Sequence, residues 1–445
     1  RILVEGGTEE QKIVFYTALY HTLIHPNILQ DVNGEYPAME SDKILTTQGD
    51  RYTVFSLWDT YRALHPLFNL VQREINADIV NSMLAHYDKS VEHMLPVWSF
   101  YGNETWCMIG YHGASVIADA YVKGIPMDEK LALEAVVSTS TVPYLEGLKE
   151  YMELGYVPME KSGSSASVTL EYGYDDWAIY HMAKKMGDRE VADTYLKRAG
   201  AYKHLVDERL GFIRPKNAAG QMKEKFDVLD THGQGFIEGN SWNYSFYVPQ
   251  DVNGLKAFMG GDKRFIERLD SLFTMELPAK YYENTEDITK EGLMGNYVHG
   301  NEPSQHIPYL YMWTSQPWKT QYRLREIMDR MYRNNIDGLC GNDDCGQMSA
   351  WYIFTAMGFY PVSDQYVLGA PYLKEMTVHL ENGKDLVIKA PKVSAKNRYV
   401  KSVKLNGREY DKAYLTHQDI CNGGELFFEM SSTPNKKRVF TEEQK

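Results

Sequence analysis

The chain has 445 residues, more than one ordinary compact domain holds, with 43% hydrophobic and 24% charged residues, so it is a soluble globular protein with a large core. A formal net charge of -13 without a long Lys/Arg block excludes a nucleic-acid polyanion as the main partner, and no apolar run is long enough to span a membrane. Cys107, Cys340, Cys345 and Cys421 are too few for a disulfide scaffold and read as free thiols.

The chain opens on Arg1-Ile2-Leu3-Val4, with neither Met nor the apolar centre of a signal peptide, and reads as a fragment or a processed product. Helical patterning is expected almost at once. Thr8-Glu9-Glu10-Gln11 is a capping box, in which the Thr hydroxyl and the Gln side chain satisfy each other's free backbone N–H groups. Phe15, Leu19 and Leu23 form one apolar row and Tyr16, Tyr20 and Ile24 its neighbour, with Pro26 as the stop. A helix is expected after Pro66, then one ending at Gly124 and one opening at Asp128. Tyr174-Asp175-Asp176-Trp177 reads as an N-capped helix running to Gly187, followed by one through Val191, Tyr195 and Ala199. Further stripes are Val252/Leu255/Phe258, Phe265/Leu269/Leu272, Leu324/Ile327/Met331 and Met348/Trp351/Phe354.

Roughly a dozen helices are therefore expected up to about residue 365, with long polar loops at 40–55, 98–112, 157–172, 212–243 and 280–303. With no fixed-period repeat, a closed (α/α)6 toroid with a loop-rimmed cavity suits this pattern better than a solenoid. After about residue 370 the period becomes two, at Met376/Val378/Leu380, Leu386/Ile388 and Leu426/Phe428/Met430, with a hairpin signal at Asn406-Gly407. The expected domains are 1–370, mainly α, and 371–445, a small antiparallel β domain. The 33 tyrosines nudge toward carbohydrate, because sugar C–H faces stack on aromatic rings.

Several segments carry chemistry. In Gly341-Asn342-Asp343-Asp344-Cys345-Gly346-Gln347, two carboxylates and two amides precede a helix. They can cap that helix, or hold a water for a general base. In Phe236-Ile237-Glu238-Gly239-Asn240-Ser241-Trp242, Glu238 lies among apolar residues. Desolvation there would raise its pKa, as a general acid requires, and a single structural hydrogen bond is the alternative. In His299-Gly300-Asn301-Glu302-Pro303-Ser304-Gln305-His306, Asn301 and Glu302 are hard oxygen donors that suit Ca²⁺, and the histidines lack zinc spacing. Trp58-Asp59 can stack on and hydrogen-bond a sugar, or can be a core Trp beside an Asp59–Arg62 pair. His112 near a helix start is a further polar candidate.

Read together, SLWDTYRALHPL (56–67), MIGYH (108–112), EYGYDDW (171–177), FIEGNSWNYSFYVPQD (236–251), HGNEPSQHIPYLY (299–311) and GNDDCGQMSAWYIFTAMGFYPV (341–362) resemble glycoside hydrolase family 92, calcium-dependent exo-α-mannosidases. The resemblance covers nearly the whole chain. It implies an (α/α)6 catalytic domain and inversion, with Glu238 as general acid and Asp344 as general base beside Asn342. Inversion expects the two carboxyls roughly 6.5–9.5 Å apart, leaving room for water. It also implies Ca²⁺ on Glu302 and Asn301, binding the O2 and O3 hydroxyls of mannose, and substrate contacts from Trp58, Asp59, His112, Trp242, His306 and Asp343.

The implied reaction removes terminal α-linked mannose, expected to be α-1,2-linked, from N-glycans or mannan. The family's N-terminal β-sandwich, absent from this chain, is the expected partner, and the expected location is the periplasm, cell surface or medium. Asn342 stands where many members have Asp, and Gln305 where His is frequent. Two other readings use the same residues: another (α/α)6 glycosidase of glucosidase or trehalase type, and a non-catalytic mannose-binding protein.

Overall fold

The computed structural model describes residues 1–282 and 290–438, so part of the expected 280–303 loop and the end of the expected 371–445 domain lie outside the described residues. The protein is mainly helical with small sheets. It divides into two compact units, Arg1–Thr22 with Asp251–Lys445, and Leu23–Gln250.

In the unit Leu23–Gln250, local signals place most helices where the sequence puts them. Asp128 and Asp188 cap Glu129–Thr139 and Arg189–Arg198, accepting from Leu131 N and Val191 N at 3.0 and 3.1 Å. The helix expected after Pro66 starts earlier, at Leu64, since a proline in the first turn sacrifices only an N–H that has no helical partner. It leads into Arg73–Lys89, a 17-residue helix without a strong stripe in the sequence. The loops 40–55 and 98–112 are pinned by short ladders, Glu35–Pro37 with Ile44–Thr46 and Ser99–Phe100 with Asn103–Glu104.

The centre of this unit is Ser165–Met186, 22 residues long, packed against Gly113–Val122 and Arg189–Arg198. It corrects two expectations. Residues 165–172 are helix rather than loop, and Asp175 and Asp176 sit in mid-helix, fully buried, not at an N-cap. Their carboxylates serve distant partners. Asp175 accepts from Tyr111 N (3.0 Å), His112 Nδ1 (2.8 Å) and Ser115 Oγ (2.6 Å). Asp176 accepts from the Tyr111 and Tyr151 hydroxyls, both at 2.7 Å, and from Arg198 Nε at 2.9 Å.

In the other unit, strand Ile2–Glu5 precedes the first helix, where helical patterning was expected. Ile2 and Val4 are buried and Leu3 and Glu5 exposed, a period of two too short to read beside the capping box. The strand pairs antiparallel with Glu375–His379. The capping box at Thr8 forms as expected, and Glu9–His21 packs on Gln347–Met357. Only Phe15 and Ala18 of that helix are buried, however, and Tyr16, Tyr20 (66% exposed), Leu23 and Ile24 are exposed, so of the two expected apolar rows only Phe15 reaches the core. The C-terminal sheet runs, by first residue, 2–375–385–424–399–408. It is mixed rather than antiparallel, because Gly424–Ser431 inserts beside Asp385–Lys389 in parallel after a crossover through His417–Cys421. The Asn406-Gly407 hairpin joins Tyr399–Leu405 to Arg408–Glu409 as expected.

Removing the Asp176 carboxylate would leave Arg198 and two tyrosine hydroxyls without their buried acceptor. Asp176→Ala is expected to cost about 3–5 kcal/mol of stability, read by urea unfolding. A loss under about 1 kcal/mol would contradict this account of the helix.

Candidate active site

In the unit Leu23–Gln250, Trp58 and Asp59 lie on the short helix Leu57–Thr60, both buried. The Ser56 hydroxyl donates to Asp59 Oδ2. Arg62 does not pair with Asp59 in the way the sequence allowed. Its Nη2 reaches Glu171 Oε1 at 3.1 Å and its Nε donates to Trp58 O at 2.9 Å. The guanidinium also lies over the rings of Tyr61, Trp58 and Tyr247, at 4.6, 5.0 and 5.1 Å. One buried cation thus fixes the helix that carries Trp58 and Asp59. The Trp58 indole N–H has no hydrogen-bond partner among the described residues.

His112 is buried, stacked on Tyr61 with centroids 4.4 Å apart, with Nδ1 on Asp175 and Nε2 3.4 Å from Glu171 Oε2. Glu171 and Asp175 are four residues apart on one helix face, which is how one helix serves both partners. Sequence reasoning placed Glu171 only inside a motif. The i, i+4 spacing of acids in a helix was the signal for its role.

Glu238 is half-buried with φ 47°, in the left-handed region that a side chain other than glycine rarely adopts. The chain is anchored on both sides of it. Gly235 O accepts from Ala166 N (2.9 Å) and Ser167 N (3.3 Å) at the start of the long helix, and Ile237 N donates to Ser167 Oγ (3.2 Å). On the other side, Asn240 and Asn243 close a capping box at 3.1 and 2.8 Å. Trp242 lies half-buried against Phe212, with centroids 4.8 Å apart. Asp59 and Glu238 come close enough to act on one thiol: Cys107 is pushed up by burial first, then by the negative charges of Asp59 and Glu238. None of the four cysteines is in a disulfide.

In the other unit, the loop before Gln347–Met357 resolves the two adjacent acids. Asp343 Oδ1 caps the helix, accepting from Ser349 N (3.0 Å) and Ser349 Oγ (2.7 Å), and its Oδ2 lies 3.8 Å from His21 Nδ1. Asp344 enters the turn through its backbone carbonyl, which accepts from Gln347 N at 3.2 Å. Its φ is 47°, followed by 58° at Cys345 and 96° at Gly346, three left-handed residues in succession. Asn342 is exposed.

Asn301, Glu302 and His306 are buried around the 3-10 turn Glu302–Ser304. A Cβ on Gly341 would lie 3.2 Å from Gly300 Cα, so this turn and the Asp344 loop touch backbone to backbone. Gln305 ties the turn to the helix: Gln347 Nε2 donates to its Oε1 (2.8 Å) and Trp351 Nε1 to its carbonyl (2.9 Å). His299 lies between the Tyr297 and Tyr332 hydroxyls, each at 2.7 Å, and burial pushes its pKa down to about 3. With both nitrogens engaged inside the core, it is a structural imidazole. A buried carboxylate next to an amide and loop carbonyls is a hard-oxygen donor set that fits Ca²⁺ and not zinc.

A family model described as the glycosyl hydrolase family 92 catalytic domain matches residues 1–432. Among solved structures, a GH92 α-mannosidase from Bacteroides thetaiotaomicron is 47% identical, with a TM-score of 0.93 over 99% of this chain and 58% of its own. That protein is also solved in complex with mannoimidazole. A GH92 inverting mannosidase from B. thetaiotaomicron VPI-5482 is 38% identical, with a TM-score of 0.89 over 98% of this chain and 61% of its own. A curated protein of Arthroderma benhamiae, described as an uncharacterized secreted glycosidase, is 26% identical over 469 residues, 95% of this chain and 54% of its own length. The chain spans less than two thirds of the length of each of these relatives.

The buried pair sets a stability test. Arg62→Met leaves Glu171 charged and without its guanidinium, and is expected to cost about 3–5 kcal/mol in urea unfolding. Adding Glu171→Gln removes the stranded charge and should recover a large part of that loss. A strictly additive double variant would show that the two side chains do not act as a pair.

Proposed function

The chain belongs to glycoside hydrolase family 92, and on that premise we propose that it releases terminal α-linked mannose with inversion, Glu238 acting as general acid and Asp344 as general base. The observation that carries this reading is the shared backbone state of the two carboxylates. Each is held at φ 47° by anchors on either side, and such conformations cluster where function requires them. The likeness to two α-mannosidases, at 47% and 38% identity, supports the substrate class.

In this mechanism Glu238 gives its proton to the departing glycosidic oxygen. Asp344 takes a proton from a water attacking the opposite face of the anomeric carbon, and the Asn342 amide helps to hold that water. Trp58, Asp59, Trp242, His112, His306 and Asp343 bind and orient the sugar. Glu302 and Asn301 would hold Ca²⁺, which when bound supplies a Lewis acid for adjacent sugar hydroxyls.

The finer assignments belong to the same proposal. The substrate is α-1,2-linked mannose of N-glycans or mannan. The helical part is an (α/α)6 toroid and the C-terminal part a β domain that takes in strand Ile2–Glu5, with the family's N-terminal β-sandwich as partner. Export is supported by the secreted description of the fungal relative, and no helix among the described residues is long and apolar enough to cross a membrane.

Mannose release from α-1,2-mannobiose, followed by NMR for the anomer formed first, tests the reaction. β-Mannose is expected, and α-mannose as the first product would overturn inversion. Glu238→Gln and Asp344→Asn should each lower kcat by about 10²–10⁴-fold with little change in melting temperature. Full activity in either removes that assignment.

For the metal, EGTA should abolish release and Ca²⁺ restore it. Glu302→Gln should weaken Ca²⁺ binding measured by calorimetry, independently of turnover. Activity that persists once metal analysis shows the ion gone would refute the metal role.

A further inference from the structure

The loop 104–110 is built to hold one side chain outward. Glu104, buried, accepts from Val97 N (3.0 Å), Trp98 N (2.8 Å) and Trp106 N (3.1 Å). Three carboxylate-to-amide bonds brace the loop from beneath. Trp106 and Met108 follow with φ of 57° and 64°, and Gly110 with 90°. A braced chain with left-handed residues at these positions is a made shape, not a slack surface loop. Its product is a tryptophan 45% exposed.

Tyr144, 57% exposed, lies on the same cavity, and its hydroxyl donates to Glu92 O at 2.9 Å. Trp106, Met108, Gly110, Tyr144 and Glu146 line this cavity of about 330 Å³, within the roughly 300–1,000 Å³ typical of small-ligand sites. Glu146 brings a carboxylate whose Oε1 accepts from Ser162 Oγ, and a carboxylate has further lone pairs for hydroxyl groups. Two exposed aromatic rings, one on a braced backbone and the other held through its hydroxyl, with a carboxylate acceptor beside them, match a pyranose, which offers apolar C–H faces and a rim of hydroxyl donors. Cys107, between Trp106 and Met108, lies within Coulombic reach of Asp59 and Glu238, so the cavity wall and the acid half of the site share a loop.

We propose that this cavity is a binding subsite for a pyranose ring other than the one cleaved, with Trp106 as its stacking platform. The proposal rests on the mannosidase reading only for the choice of sugar. The ring comes either from the remainder of the substrate glycan or from a separate glycan chain, and binding stoichiometry tells these apart.

The experiment is calorimetric titration of the Glu238→Gln protein with α-1,2-mannotriose and with methyl α-mannoside. The trisaccharide is expected to bind about tenfold tighter than the monosaccharide, or at two sites per chain. Trp106→Ala should remove the gain or the second site, Tyr144→Ala should weaken it, and Trp106→Phe should keep most of it. One site with the gain lost assigns the ring to the substrate, and two sites falling to one assign it to a separate glycan. No trisaccharide binding, an isotherm unchanged in both alanine variants, or an equal loss for methyl α-mannoside would overturn the subsite. Failure of the unsubstituted protein to release mannose sinks the hydrolase reading instead, and leaves this comparison standing.

Discussion

Burying a carboxylate without a partner costs several kcal/mol, and three of them, Glu171, Asp175 and Asp176, are buried along one helix. The unit Leu23–Gln250 is arranged around meeting that demand. Glu171 draws in Arg62, and with it the helix bearing Trp58 and Asp59. Asp175 takes Tyr111 N, His112 and Ser115 at the start of Gly113–Val122. Asp176 takes Arg198 from the end of the next helix, with Tyr111 and Tyr151. The first turn of the same helix holds the Gly235 carbonyl just before Glu238. One helix therefore satisfies its own acids and, through the same bonds, fixes the side chains that would meet a substrate.

In the other unit neutral groups hold the corresponding turn. The turn carrying Asn301 and Glu302 is tied down by His299 between two tyrosine hydroxyls and by Gln305 against Gln347 and Trp351. Because Tyr332 also donates to Met348 O (3.0 Å), His299 donates from Nε2 to Tyr332 and accepts from Tyr297 at Nδ1. Burial pushes its pKa down to about 3, which favours the neutral imidazole that this pair of hydrogen bonds requires.

Local chemistry was legible in the sequence, and remote partners were not. The Thr8 capping box and the helix opening at Asp128 were readable because their bonds close within three residues. Glu238 stood out as a carboxylate among apolar residues and Asp344 as one among glycines and amides, but their left-handed backbone did not, since neither residue type signals it. Asp175 and Asp176 imitate an N-cap when only their neighbours are visible, and their partners lie 60–65 or 25 residues before, or 22 after. The apolar rows of the first helix were real as a pattern, yet periodicity does not say whether a face is covered. The parallel strand pair was hidden for a further reason, because alternation fixes which residues face the core but not which strand lies alongside.

Tyrosine content shows the same lesson in composition. The aromatic richness pointed toward a sugar-binding surface, but among the described residues eleven of the twelve largest fully buried side chains are tyrosines. Their hydroxyls serve the interior: Tyr111 and Tyr151 on Asp176, Tyr61 toward Glu171, Tyr309 on Thr355, and Tyr297 on His299. A phenylalanine would fill the same volume and leave those groups unsatisfied, whereas a tyrosine supplies apolar area and a donor at one end. Buried acids and imidazoles spread through a core of this size require many such donors. The tyrosines are the complement of the buried polar network, so their number is a property of the core rather than of a surface.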